Sequence, residues 1–169
     1  MTVDLPLPRF LLEVVRDRGR AGATSDRLAR GYGARPVGEL VRVLRERSAQ
    51  ALSPPGVGPL GPFTDACIHL RDAAIPLGES ATPPVQDWVR ALDFLTTARA
   101  RSAGFLPRGR LDGLRLRATD DAWAAGAGPE VSGPAEALAL AVTGRRARLD
   151  DLSGDGAPLL RQRVLAPRR

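Results

Sequence analysis

The fold is organised around the stretch Phe63-Thr64-Asp65-Ala66-Cys67-Ile68-His69-Leu70-Arg71-Asp72. It contains the only histidine of the 169-residue chain, with one carboxylate four residues before it and another three residues after it. Residues three and four apart are neighbours on a helix, so Asp65, His69 and Asp72 share one face of a helix predicted over Pro62 to Ile75. Such a face is either a solvated polar stripe or part of a metal site, and the spacing alone favours the stripe.

Amphipathic helices are predicted on both sides of this segment. Apolar residues at helical spacing predict helices at about 9–18, 36–51 and 84–100, and a shorter helical piece at 25–34 that Ser25 would cap. Proline and glycine between residues 53 and 59 predict a stiff loop before the central helix. Four amphipathic helices joined by loops indicate a helical bundle.

The pattern changes near Gly104. Leu114 to Ala118 alternates between apolar and polar residues, which is typical of a half-buried strand, and Glu130 to Ser132 is a second extended piece. The helix predicted over Pro134 to Thr143 is apolar nearly all round, so we expect it to be buried. The predicted fold class is therefore α+β, with a mainly helical bundle at residues 1–104 and a small α+β module at residues 105–169.

Composition and the pattern of charge argue against several classes of function. The net charge is +6, but all 25 basic residues are arginines scattered among acidic neighbours, which argues against a nucleic-acid partner. There is no apolar run long enough to span a membrane and no signal-peptide pattern. The single cysteine allows no internal disulfide, as is usual in a reducing compartment. We expect a cytoplasmic monomer or homodimer without a nucleic-acid or membrane partner.

Cys67 is the other reactive residue type in the central helix. It lies two residues from His69 and so on nearly the opposite side of that helix. We interpret it as a small buried hydrophobe rather than a metal ligand or a nucleophile. A Ser-His-Asp or Cys-His arrangement would have to use His69, and nothing in the spacing supports one.

Three segments of the chain resemble the mycothiol-dependent maleylpyruvate isomerase family. The first is Phe63 to Gly78, with His69-Leu70-Arg71-Asp72, and the second is Leu114 to Trp123. The strongest match is Gly128-Pro129-Glu130-Val131-Ser132-Gly133-Pro134-Ala135-Glu136-Ala137-Leu138, continuing through Thr143-Gly144-Arg145. The resemblance covers about Leu5 to Val164. It implies a DinB-like metal-binding helical bundle followed by a small domain that resembles sterol carrier protein.

The resemblance also implies a chemistry for the central helix. The family's carboxylate-x-x-x-His pair maps onto Asp65 and His69, with aspartate where the isomerase itself has glutamate. It implies a divalent cation, zinc being expected, that binds the small-molecule thiol mycothiol. A metal-bound thiol is deprotonated and so becomes a nucleophile, which would add to an activated double bond of an electrophilic substrate. Asp72 would support the site by orienting a metal ligand or an arginine.

One departure from the family limits this expectation. The family takes a further metal-ligating histidine from an N-terminal helix, whereas Met1 to Pro8 looks like the stretch that follows that residue. We therefore expect either a displaced or truncated start, or a degenerate member whose enzymatic activity is impaired. The alternative function is a non-catalytic family remnant that binds a hydrophobic ligand or a partner protein. An apolar tunnel in the C-terminal module would favour that alternative, and a closed, packed core would count against it.

Overall fold

The computed structural model describes residues 7–18, 21–48, 53–54 and 56–166. Within these residues helices predominate and one three-stranded sheet accompanies them, so the predicted mainly helical α+β class is confirmed. Contacts divide the chain into two units, residues 1–51 and 52–169. The predicted division after residue 104 stays a prediction. Most of the segment from Met1 to Pro8 lies outside the described residues.

The first unit contains three helices, α1 (Leu7–Arg16), α2 (Ala21–Gly33) and α3 (Val37–Ser48). Arg27 of α2 holds α1, because its Nη2 lies 2.6 Å from Glu13 Oε2 and 3.0 Å from Asp17 Oδ2. The helices predicted at 9–18 and 36–51 are confirmed, although the predicted end near residue 51 lies outside the described residues. The prediction that Ser25 caps a short helix is wrong, since α2 begins four residues earlier.

The second unit opens with helix α4 (Leu60–Ala74), close to the predicted 62–75. The single helix predicted at 84–100 is wrong, because two helices occupy this region, α5 (Val85–Leu95) and α6 (Ala98–Ser102). Thr97 explains the interruption: its backbone is extended, and its hydroxyl donates to Phe94 O and accepts from Ala100 N. Threonine hydroxyls compete in this way with helical backbone bonds and favour a helix start.

The sheet has the strand order β2-β1-β3, with β1 at Arg115–Ala118, β2 at Ala124–Gly126 and β3 at Glu130–Gly133. Strand β1 pairs antiparallel with β2 and parallel with β3. The alternation predicted for β1 is confirmed, since Leu116 and Ala118 are buried while Arg115 and Arg117 are exposed. Strand β2 was not predicted, because Ala124-Ala125-Gly126 carries no apolar alternation.

Helix α7 (Ala135–Val142) is the centre of the second unit. All eight of its residues are buried, as predicted, and it packs against α5, which in turn packs against α4. A 3-10 turn (Leu149–Asp151) and helix α8 (Ala157–Leu165) complete the chain. In the part of the chain that the structure describes, no helix is both long and apolar enough to cross a membrane. The stacking of α4, α5 and α7 fixes the surroundings of His69.

Candidate functional site

Helix α4 brings together the three polar residues that the sequence singled out. His69 Nε2 lies 3.3 Å from Asp65 Oδ1, and His69 Nδ1 lies 3.1 Å from Asp72 Oδ2. The side chains of His69, Asp65 and Asp72 are 60%, 38% and 36% exposed, so this face is open to small molecules. The predicted grouping on one helix face is thus confirmed.

Both ring nitrogens of His69 face a carboxylate, which creates an electrostatic problem. A neutral imidazole has one N–H donor, so it can donate to only one of its two neighbours. If Nδ1–H donates to Asp72, then the lone pair of Nε2 lies 3.3 Å from an anionic oxygen of Asp65. The Nε2 lone pair and the Asp65 carboxylate repel each other at that distance. A positive charge between them, either a second proton on the ring or a cation, would remove this repulsion.

Asp72 is held from the other side by a residue that sequence reasoning did not place in the site. Arg145 donates to both carboxylate oxygens, from Nε to Oδ1 at 3.1 Å and from Nη2 to Oδ2 at 2.8 Å. Such bidentate pairs fix the orientation of a carboxylate. The hydrogen bond from Arg145 is the main reason that the pKa of Asp72 lies below its usual value, and His69 adds a smaller effect in the same direction.

The end of helix α7 positions Arg145. The backbone N–H of Gly144 donates to Ala141 O at 2.9 Å, and that of Arg145 donates to Leu140 O at 2.8 Å. These bonds close the last turn of the helix and turn the chain back towards α4. The sequence contained one signal for this residue, a cation directly after a helix-ending glycine. It carried no indication that the partner lies 73 positions earlier.

A second ion pair joins the same two helices below the surface. Arg71, 7% exposed, donates from Nε to Glu136 Oε1 at 2.9 Å. Thr82 donates to the other carboxylate oxygen of Glu136 at 2.8 Å, and Trp88 Nε1 donates to the Thr82 hydroxyl. The exposed pair Asp72–Arg145 and the buried pair Arg71–Glu136 together fix α4 against α7 and so hold His69 in place.

Cys67 lies away from this face. It is 7% exposed, and burial raises the pKa of its thiol to about 11, with a smaller contribution from Asp87. A thiol with such a pKa is protonated at neutral pH and is a poor nucleophile. The interpretation of Cys67 as a buried hydrophobe agrees with this environment.

The pair Asp65 and His69 matches the spacing of two ligands on one cation. Zinc bonds of about 2.0–2.1 Å in tetrahedral geometry place neighbouring donor atoms about 3.3 Å apart. Among the described residues there is no group of three or more histidine, cysteine, aspartate or glutamate side chains that could hold a metal ion. The donor set therefore fits a weakly held cation that keeps open positions, and not a closed structural zinc site.

Comparison of the chain with models of protein families, with curated proteins and with solved structures finds no match. Any assignment of function therefore rests on the residues of the site and on the sequence resemblance.

We expect Arg145→Gln to raise the pKa of Asp72 towards that of an ordinary aspartate, because the largest cause of its depression is removed. A pKa that is lowered by folding stabilises the protein above the ordinary aspartate pKa, and this stabilisation is lost as the pH falls through the lowered value. The loss of stability in Arg145→Gln, relative to the wild type, should therefore be largest at neutral pH and smallest at acid pH, where Asp72 is protonated in both proteins. Carbon-13 NMR titration of the Asp72 carboxyl measures the shift.

Arg101→Gln is the matched control for this titration, since Arg101 is an exposed arginine outside the site. It should leave the Asp72 titration unchanged. An Asp72 pKa that is equally low in both variants would show that Arg145 does not hold this carboxylate in solution.

Proposed function

We propose that this protein is a cytoplasmic, divalent-metal-binding, mycothiol-dependent enzyme of the maleylpyruvate isomerase type, with Asp65 and His69 as metal ligands. The carrying observation is the approach of His69 Nε2 to within 3.3 Å of Asp65 Oδ1 on an exposed helix face. A divalent cation between these atoms would satisfy both of them. Aspartate and histidine are ligands that zinc and related divalent metals prefer.

The surrounding residues support this assignment of roles. In the tautomer that carries its proton on Nδ1, His69 donates to Asp72 and leaves the lone pair of Nε2 for a cation, as zinc-bound histidines with carboxylate partners do. Arg145 fixes Asp72 in turn. A divalent cation at this position would lower the pKa of a bound thiol, so that a small-molecule thiol could attack an electrophilic substrate at neutral pH.

The packing of helix α7 favours the enzyme over the alternative of a hydrophobic-ligand module. An apolar tunnel in the C-terminal part of the chain would need uncovered apolar walls. Instead, Ala135, Leu138 and Val142 are 0% exposed, and so are Val131 of β3 and Leu160 of α8. A core packed in this way has no room for a lipid-sized ligand without rearrangement.

We expect the protein to bind Zn²⁺ weakly and with open coordination positions. His69→Ala should reduce the affinity at least about tenfold, equivalent to about 1.4 kcal/mol, and Asp65→Asn should reduce it in the same direction. Isothermal titration with Zn²⁺ measures both. Asp155→Asn is the matched control, because Asp155 is an exposed carboxylate with no ion pair in the described part of the chain. Equal binding by wild type and His69→Ala would remove the proposed site.

The same site can be tested for the thiol. With Co²⁺ in place of Zn²⁺, addition of mycothiol should produce thiolate-to-cobalt charge-transfer absorption in the wild type and in Asp155→Asn, but not in His69→Ala. Co²⁺ binding without this absorption would support the metal site but contradict the proposal that the metal binds the thiol.

A further inference from the structure

A small cleft lies between the C-terminal end of α4 and the segment that follows α7. Its volume is about 140 Å³. Three arginines and one carboxylate line it, namely Arg71, Arg145, Arg146 and Asp72, so the lining carries a formal charge of +2. The cleft excludes Asp65 and His69, although it shares Asp72 and Arg145 with the surroundings of His69.

Two of these arginines keep donors that internal partners do not use. Arg145 is committed to Asp72 and to Thr143 O. Arg71 uses Nε for Glu136 and Nη1 for backbone carbonyls, of which Ala81 O is the closer at 2.7 Å, while Nη2 has no partner among the described residues. Arg146 makes one long bond, 3.4 Å from Nη2 to Leu165 O. Arg71 Nη2 is not one of the buried atoms without a hydrogen-bond partner among the described residues, so solvent or a small ligand can reach it.

The remaining wall is apolar. Ile75, Pro76 and Leu140 also line the cleft. One water molecule takes about 30 Å³ of liquid, so the cleft has room for about five waters or for a ligand of about six non-hydrogen atoms. A ligand that suits both walls has an anionic head for the guanidinium groups and a short hydrocarbon tail.

We infer that this cleft is a binding site for short-chain carboxylates. The planar guanidinium of arginine pairs well with a carboxylate, with two parallel N–H donors matching its two oxygens. The available donors are those of Arg71 and Arg146, and the tail packs on Ile75 and Leu140. An inorganic anion such as phosphate would satisfy the arginines but leave the apolar wall uncovered.

Titration of the ¹⁵N-labelled protein with butyrate, followed by ¹H–¹⁵N NMR without added metal, tests the site. We expect saturable shifts at the amides of residues 75, 140, 146 and 147, and weaker binding of phosphate at equal ionic strength. Arg146→Gln should weaken butyrate binding at least about fivefold. Ala147→Phe, at an exposed lining position, should block the cleft while keeping every charge. Arg101→Gln is the control for the change in net charge.

Three results would overturn the assignment. The first is butyrate shifts that spread over the surface without saturation. The second is phosphate binding as tight as that of butyrate, because the apolar wall would then contribute nothing. The third is wild-type affinity in both Arg146→Gln and Ala147→Phe, provided that their spectra show the native fold. None of these outcomes depends on whether Asp65 and His69 bind a metal.

Discussion

Replacing Glu136 with glutamine should lower the free energy of unfolding by about 3–5 kcal/mol. This is the usual cost of removing one partner of a buried ion pair, since the other charge remains buried without compensation. The side chains of Arg71 and Glu136 are 8% and 11% exposed, so water reaches the abandoned guanidinium poorly. Few surface substitutions should cost as much, because most of them lie within about 0.5 kcal/mol.

The hydrogen bonds of Glu136 explain why an amide cannot replace it. Oε1 accepts from Arg71 Nε at 2.9 Å and lies 3.3 Å from Arg148 Nη1, while Oε2 accepts from Thr82 at 2.8 Å. A carboxylate is an acceptor at both oxygens, whereas glutamine presents donors at one of the two positions. An NH2 group facing Arg71 and Arg148 would set donor against donor, while one facing Thr82 would require its hydroxyl to change from donor to acceptor. In either orientation the charge that compensates Arg71 is lost.

Unfolding in urea, followed by tryptophan fluorescence, measures this effect. Both tryptophans, Trp88 and Trp123, lie in the second unit, so the signal reports on the unit that contains the ion pair. Glu130→Gln is the matched control: Glu130 pairs with Arg117 at 2.8 Å, but both side chains are substantially exposed, and such pairs contribute about 0–1 kcal/mol. Equal losses in Glu136→Gln and Glu130→Gln would show that burial does not strengthen the inner pair.

A double variant separates the buried charge from lost packing. Adding Arg71→Met to Glu136→Gln removes the uncompensated cation, so the double variant should be more stable than the sum of the two single effects predicts. Strictly additive losses would mean that the two side chains do not interact in the folded protein.

Local pattern was sufficient for most helices and for strand β1. The sequence predicted α4, with its polar face, and α7, which is apolar nearly all round, to within a few residues, since each helix is encoded in one continuous segment. The same local geometry predicted that Asp65, His69 and Asp72 share a face, because they lie within two helical turns. Contacts between residues of one continuous segment can therefore be predicted from the sequence.

Features that depend on distant segments could not be predicted in this way. Arg145 meets Asp72 across 73 positions, and Glu136 meets Arg71 across 65, so each pair depends on how α4, α5 and α7 stack. Strand β2 is recognisable only through its pairing with β1. The break between α5 and α6 is a local feature, but it depends on the Thr97 hydroxyl adopting a capping geometry that threonine does not always adopt.

Replacing Gly128 with alanine should lower the free energy of unfolding by about 3 kcal/mol or more. The residue has φ +123°, a conformation that costs a residue with a side chain about 1–3 kcal/mol. A Cβ at this position would also lie 2.3 Å from Gly113 O and 2.8 Å from Gly113 C. Both are backbone atoms, so relief requires the chain itself to shift, which adds about 1–3 kcal/mol.

The close approach of Gly128 to Gly113 is a requirement of the sheet. Directly beyond it, the N–H of Arg115 donates to Pro129 O at 3.1 Å, and β1 then pairs in parallel with β3. A displaced residue 128 would move the first residues of β3 away from β1. Because β3 leads directly into α7, the shift would extend to the helix that carries Glu136 and ends beside Arg145.

Gly104→Ala distinguishes the two causes. Gly104 also has a positive φ, +81°, but a Cβ there would meet nothing within 4 Å, so we expect a loss of only about 1–2 kcal/mol. The difference between the two variants in urea unfolding is then the cost of the contact with Gly113. If Gly128→Ala loses no more than Gly104→Ala, the loop adjusts freely and does not hold β3 against β1. A larger loss, together with a Zn²⁺ affinity that stays unchanged under native conditions, would show that the sheet stabilises the second unit without altering the Asp65–His69 pair.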